Sequence, residues 1–164
     1  MPFEIPENLH PDLSKFAWLL GRWEGSGEGD YPTIEPFRFT WEVLFQQDGR
    51  PFMHYMAKAT LVDAEGTKIR DAAQETGFLR CQEDGSAELL LSHNTGFLEL
   101  WLGKVDGAKL ELTTDAVLRT ATAKEVTAGH RLYGLVEGDL WFAFDMAAVG
   151  QELQPHLWGK LVRR

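Results

Sequence analysis

Along most of its length this chain alternates apolar and polar residues with a period of two, and that alternation leaves few folds open. In PFRFTWEVLFQ, Phe37, Phe39, Trp41, Val43 and Phe45 alternate with Arg38, Thr40, Glu42, Leu44 and Gln46. Successive side chains of a strand point to opposite faces, so the run predicts a long strand with one apolar side and one wet or pocket-facing side. Similar runs recur in RPFMHYMAKATLV, AAQETGFLRC, AELLLSH, FLELWLGKV, KLELTTD, KEVTAGHRLYGLV and LWFAFDMAA. Short turn signals stand between several of them: Asp48-Gly49, Glu65-Gly66, Asp84-Gly85, Asp106-Gly107 and Glu137-Gly138. Such pairs suit hairpins. Helical spacing of apolar residues is confined to the start. There Leu13, Phe16, Ala17 and Leu20 follow Pro11, which suits a helix start, so one short amphipathic helix is expected over about residues 11–20.

Even strands joined by hairpins, with no helices between them, predict an antiparallel meander. A long meander must hide its edges, and closure into an up-and-down barrel of lipocalin-like type is the usual solution. The uniformly short connections favour the barrel over a flattened β-sandwich with a filled core. A closed barrel of eight or more strands leaves room for one small ligand. The length of 164 residues suits a single domain, 1–164, with residues 1–10 (MPFEIPENLH) as a flexible N-terminal arm.

Charge narrows the partners. The formal net charge is -9, and the only basic cluster is Lys160, Arg163 and Arg164, so nucleic acid is not an expected partner. No stretch reads as a membrane span or a signal peptide. The single cysteine, Cys81, has no internal disulfide partner and reads as a small core or surface residue; a reducing cytoplasm is the expected compartment.

Four short stretches stand out. Gly21, Trp23, Gly25 and Gly27 form G-x-W-x-G-x-G. Glycine in a strand marks a bend or a close backbone approach, and the Trp is suited to plug a barrel end. No Lys-Ser/Thr follows, so this is not a phosphate loop. Tyr31-Pro32-Thr33-Ile34 reads as a corner, with Thr33 facing either solvent or a cavity rim. Lys124 reads as a solvated strand-end lysine or as a cation at a cavity mouth. His156 lies in a last strand among Leu153, Leu157, Trp158 and Leu161. It has three readings: a hydrogen-bonded core histidine, a metal or haem ligand, or a general base. His10, His54, His93 and His130 show no zinc spacing relative to it, whereas a haem iron needs only one proximal imidazole.

Taken together, Gly21-x-Trp23-x-Gly25-x-Gly27, Tyr31-Pro32-Thr33-Ile34, Thr122-Ala123-Lys124-Glu125-Val126, Met146-Ala147-x-Val149-Gly150 and Gln154-Pro155-His156-Leu157 resemble the nitrobindin family, above all its actinobacterial members. The resemblance implies a ten-stranded antiparallel barrel related to fatty-acid-binding proteins, with one haem b per chain at an open end. It implies His156 as the ligand of a ferric iron, with Thr33 and Lys124 at the haem. It implies binding of nitric oxide and isomerisation of peroxynitrite to nitrate, with no catalytic residue separate from the iron. Phe37, Phe39, Trp41 and Phe45 are expected to form an apolar wall that excludes water. The segment HYMAKATLVDAEGTKIRDAAQETGF is longer and more polar than the family pattern, and an inward His54 there would close the distal side of the iron. The competing reading is a non-enzymatic carrier of a fatty acid or other apolar ligand, with Arg38, Arg131 or Tyr133 for its carboxylate. A third is an empty barrel used as an interaction module. Homodimer formation is left open.

Overall fold

A computed structural model describes residues 3–164. A 3-10 helix, Pro11–Leu19, precedes ten strands: β1 (Gly21–Tyr31), β2 (Ile34–Gln46), β3 (Phe52–Val62), β4 (Lys68–Cys81), β5 (Ser86–His93), β6 (Phe97–Asp106), β7 (Lys109–Arg119), β8 (Val126–Val136), β9 (Asp139–Ala148) and β10 (Gln154–Arg163). Each strand pairs antiparallel with its neighbour in sequence, and β1 closes on β10. The expected up-and-down barrel is therefore the observed one, with both edges of the meander removed by closure.

The period-two pattern becomes the inside and outside of the wall. In β2, Phe39, Trp41, Val43 and Phe45 are buried, while Arg38, Thr40, Glu42 and Gln46 are exposed. The five Gly-bearing turns all fall between strands. At the β8–β9 turn both Glu137 (φ 53°) and Gly138 (φ 86°) adopt positive φ, the combination whose twist matches paired strands. The stretch from Asp145 to Ala148 continues β9 to its end, and a turn at Val149-Gly150 precedes β10.

One end of the barrel is closed. The helix buries Leu13, Phe16 and Leu19, spaced by three, which is the repeat of a 3-10 rather than an α-helix. His10 Nδ1 caps its start by accepting the Asp12 N–H at 3.1 Å. Trp23, fully buried, donates its indole N–H to Leu19 O at 2.8 Å. The Arg163 guanidinium lies 4.1 Å from the Trp23 ring and donates to the carbonyls of Trp18 and Leu20. Of the expected arm, Phe3 lies over Arg163 at 4.1 Å, and Asn8 Oδ1 accepts from Gln47 at 2.9 Å. Residues 1–2 lie outside the described residues.

The G-x-W-x-G-x-G stretch serves this packing. Gly27 of β1 faces Gly159 of β10. A Cβ at Gly27 would stand 2.6 Å from the Phe39 ring and 2.9 Å from Phe142; one at Gly159 would stand 2.8 Å from Phe142. The bare inner wall at this pair is what lets the two rings close the floor of the barrel.

The other end is open and irregular. The β3–β4 register shifts twice, between Lys58 and Thr60 and between Leu61 and Val62. β7 and β8 pair only through Lys109–Thr113 and His130–Gly134. Beyond that the strands part, and the Trp101 ring sits against Gly129, where a Cβ would meet it at 2.5 Å.

Candidate functional site

A cavity of ≈ 980 Å³ opens at this irregular end, among Phe37, Phe39, Trp41, Ala73, Lys124, His156 and other residues of β2, β3 and β4. Its floor is an aromatic cluster in which the Trp41 ring lies 4.6 Å from Phe142 and 5.5 Å from Phe144. Of the apolar wall expected from β2, Phe37, Phe39 and Trp41 line the cavity, whereas Phe45 packs at 5.1 Å from Tyr55 deeper in the core.

His156 reaches the cavity through a β-bulge. Pro155 faces Asp145 and Leu157 faces Phe144, two consecutive residues of β9, so β10 carries one extra residue there, and it is His156. In the rest of β10, Leu161 is buried while Trp158 and Lys160 are exposed. Unbroken alternation would have put His156 on the outer face with Trp158 and Lys160. Bulges re-aim side chains in this way and are frequent at barrel rims.

The imidazole is then oriented. Its Nδ1 lies 3.2 Å from the carbonyl oxygen of Asp30. A carbonyl only accepts, so Nδ1 carries the hydrogen and Nε2 carries the free lone pair. The Tyr31 ring stands edge-on to it at 5.3 Å and Phe37 at 6.2 Å. Tyr31 is itself fixed: its hydroxyl accepts the Ala148 N–H at 2.9 Å and donates to Met146 O at 3.1 Å. Burial lowers the pKa of His156 below the ordinary imidazole value, and nearby Lys124 adds to this, against the opposing Asp30 contact. The neutral imidazole is thereby favoured. A neutral ring with a committed Nδ1 and a free Nε2 is the form that binds a metal.

Lys124 stands at the cavity mouth in the β7–β8 connection, 5.8 Å above the Tyr31 ring, and partial desolvation lowers its pKa. Thr33 is exposed in the β1–β2 turn at the same end, next to Ile34 of the cavity rim. Gly21 and Trp23 lie at the closed end, and Gly25 and Gly27 in the wall leading up from it. His54 is on the outer face of β3, between inward Met53 and Tyr55, 3.2 Å from Thr76 Oγ1 and stacked on Phe78. It does not approach the cavity. Among the described residues no group of three or more His, Cys, Asp or Glu side chains is placed to hold a bare metal ion.

The inner wall also carries an ion pair, of which the sequence offered Arg131 as a candidate but not its partner Glu75. Glu75 of β4 lines the cavity, and its Oε2 lies 2.7 Å from Nη2 of Arg131 on β8. Arg131 also donates to the Tyr133 hydroxyl at 3.3 Å, which contacts the Tyr55 hydroxyl at 3.3 Å. Its guanidinium is sandwiched between Phe144 at 4.3 Å and Trp101 at 5.0 Å. Burial opposes its charge, but Glu75, Tyr133, Tyr55 and Glu99 together outweigh this and hold its pKa well above the ordinary arginine value. Glu99 of β6 is buried nearby and pairs with His93 of β5. The members of this cluster come from six strands, β3, β4, β5, β6, β8 and β9, so no local motif announces it.

A family model described as a THAP4-like, heme-binding beta-barrel domain matches residues 12–163. A peroxynitrite isomerase of Nocardioides sp. is 65% identical over 164 residues, covering 100% of both chains. A ferric nitrobindin-like protein of Cutibacterium acnes is 43% identical, covering 99% of each chain. The crystal structure of Rv2717c from M. tuberculosis superposes with a TM-score of 0.85 at 40% identity, covering 95% of this chain and 99% of that one.

Proposed function

Since this chain belongs to the THAP4-like, heme-binding beta-barrel family, we propose that it holds one haem b per chain through His156 and isomerises peroxynitrite to nitrate. The observation that carries the reading is the bulge that turns His156 inward with Nδ1 bound to Asp30 O and Nε2 free. When bound, ferric haem supplies a Lewis-acid centre at which peroxynitrite rearranges, and nitric oxide is a second small ligand for it. The chain's own residues do the rest. His156 anchors the group from one side, and Asp30 fixes the tautomer. Phe37, Phe39 and Trp41 keep water from the inner face. Lys124, and Thr33 in the neighbouring turn, flank the mouth, where a cation and a hydroxyl suit the carboxylates of the porphyrin edge. No further side chain is needed to break a bond in the ligand.

The protein acts as one domain with residues 1–10 as its arm. No helix among the described residues is long and apolar enough to cross a membrane. The reducing cytoplasm is the proposed compartment, and a homodimer through the outward apolar residues Phe78, Leu90, Leu98 and Leu102 of β4–β6 the proposed assembly.

The fatty-acid carrier is the weaker reading for a specific reason. Arg131, the buried cation with Tyr133 beside it, is already neutralised by Glu75, and Arg38 is exposed, pairing with Glu28 at 3.9 Å. A carboxylate ligand would find no free buried cation among the three groups expected to serve it. Hemin titration of purified protein, followed by stopped-flow mixing with peroxynitrite, tests the proposal. A saturable ferric spectrum at one hemin per chain and faster nitrate formation are expected. A protein that takes up fatty acid but gives no ferric spectrum would overturn it.

A further inference from the structure

β10 is weakly held where it carries His156. Its register with β1 ends at Leu157, opposite Gly29, and on the other side His156 is the bulged residue of the β9 pairing. One more step of the β1 register would set Asp30 opposite His156, and there the imidazole Nδ1 meets the Asp30 carbonyl. Register decides which face a side chain takes, and a slip of one residue reverses it. In a regular β10, His156 would lie outside with Trp158 and Lys160. Something other than the ladder has to hold the bulge.

Tyr31 is placed to do so. In the wall, β10 lies between β1 and β9. From the end of β1 the Tyr31 side chain, 2% exposed and packed with Phe97, Val126 and Ala148, reaches past β10 to the backbone of β9. Its hydroxyl accepts the Ala148 N–H at 2.9 Å and gives its single hydrogen to Met146 O at 3.1 Å. The β9–β10 register ends at Met146 and Gln154, so the Ala148 N–H lies beyond the last β10 partner. The phenol acts where a further rung would be. Without it, the N–H of a buried residue would lose its acceptor, a cost large enough to drive local rearrangement. The same ring stands edge-on to His156 at 5.3 Å, with Lys124 Nζ 5.8 Å above it. One side chain thus ties together the strands on both sides of β10 and borders the histidine between them.

We propose that Tyr31 is the positioning residue of His156: its hydroxyl replaces a rung between β9 and β10, and so keeps the bulge in register and Nε2 presented to the cavity. The inference rests on the haem reading and deepens it, because a ligand histidine serves only while Nε2 is presented. Tyr31 acts through the strand and takes no part in bond making.

The test compares wild type with Tyr31→Phe, which keeps the ring and deletes the hydroxyl. Tyr55→Phe is the matched control: it deletes a buried hydroxyl that contacts Tyr133, on a ring packed against Phe45 in the deeper core. Both variants should unfold at lower urea, so stability alone does not separate them. The first readout is the His156 tautomer in the apoprotein, from nitrogen–proton correlation spectra of the ring at a pH well above the ordinary imidazole pKa. Wild type and Tyr55→Phe should carry the hydrogen on Nδ1. Tyr31→Phe should shift toward the Nε2–H form that free imidazole side chains prefer, as the ring leaves the Asp30 carbonyl. The second is haem transfer from the loaded protein to excess apomyoglobin. Its rate should rise at least about tenfold in Tyr31→Phe and stay within about twofold of wild type in Tyr55→Phe. The third needs no variant: the Ala148 amide of wild type should exchange with solvent as slowly as amides inside the ladders. Either of the first two readouts unchanged in Tyr31→Phe, equal changes in Tyr55→Phe, or fast exchange at Ala148 overturns the role of Tyr31 and leaves the haem reading standing. A wild type with no His156-dependent ferric spectrum overturns the haem reading, and the tautomer and the amide exchange then decide the role of Tyr31 by themselves.

Discussion

A single imidazole carries most of the chemistry proposed for this barrel, and its isolation makes it testable. His156→Ala removes a half-buried side chain at the rim, so the change in stability should be about 1 kcal/mol or less. The ferric spectrum and the acceleration of peroxynitrite decay should both vanish, whereas His54→Ala, on the outer face of β3, should keep both. Equal acceleration by wild type and His156→Ala would mean that loosely associated hemin does the work. The pH dependence has a definite sign. Burial lowers the His156 pKa, so the neutral, ligating form persists below the ordinary value of about 6.5, and haem should be released only as pH falls further. In the unfolded chain the same imidazole takes up a proton first, so His156 subtracts stability below that value and has no such effect above it. An acid titration of the Soret band with its midpoint above about 6.5 would contradict the burial argument.

At the scale of elements, close approach and bulges decide what the strands can do. Gly27→Ala should cost about 1–3 kcal/mol in urea unfolding, because its methyl group collides with Phe39, Phe142 and the Trp158 carbonyl of the adjacent strand. Trp23→Ala should cost about 3–5 kcal/mol and leave the haem spectrum in place, since it empties the closed end rather than the open one. The strands themselves were legible, because alternation such as Phe39–Trp41–Val43–Phe45 maps directly onto a wall with two faces. The helix position was legible from Pro11, Leu13 and Phe16, and Leu20 is buried as expected just past the helix end, but the 3-10 character lay in the additional burial of Leu19. His156 was legible as a candidate only; alternation alone aims it outward, and the family pattern, not the period, pointed to the cavity. Glu75 was not legible. In the sequence it is one acid in a polar stretch, and its meaning depends on Arg131, which reaches it only when the ring closes.

Across the whole molecule, packing and site occupy opposite ends. The helix, Trp23 and Arg163 seal one mouth, while the cavity, Lys124 and His156 form the other. The apoprotein should therefore unfold cooperatively on its own, and hemin should raise Tm in wild type but not in His156→Ala, by an amount that grows with free hemin concentration. A Tm shift of equal size in both would show that hemin binds elsewhere. Cys81, buried in the closed half with its thiol pKa pushed up to about 12, should stay unreactive toward disulfide reagents until the barrel unfolds. The bulge in β10 has a further consequence, in the currency of evolution rather than energy. The site was written as an insertion: one residue more than the ladder needs, at the one place where the surplus turns a side chain inward. A lineage could lose it without substituting the histidine at all, since a single-codon deletion beside it would restore the register, keep the imidazole in the sequence and strand it on the outer wall. Relatives of this barrel that retain the histidine but lack the extra residue would be colourless proteins with an intact-looking motif, and alignment length, more than residue identity, would tell them apart.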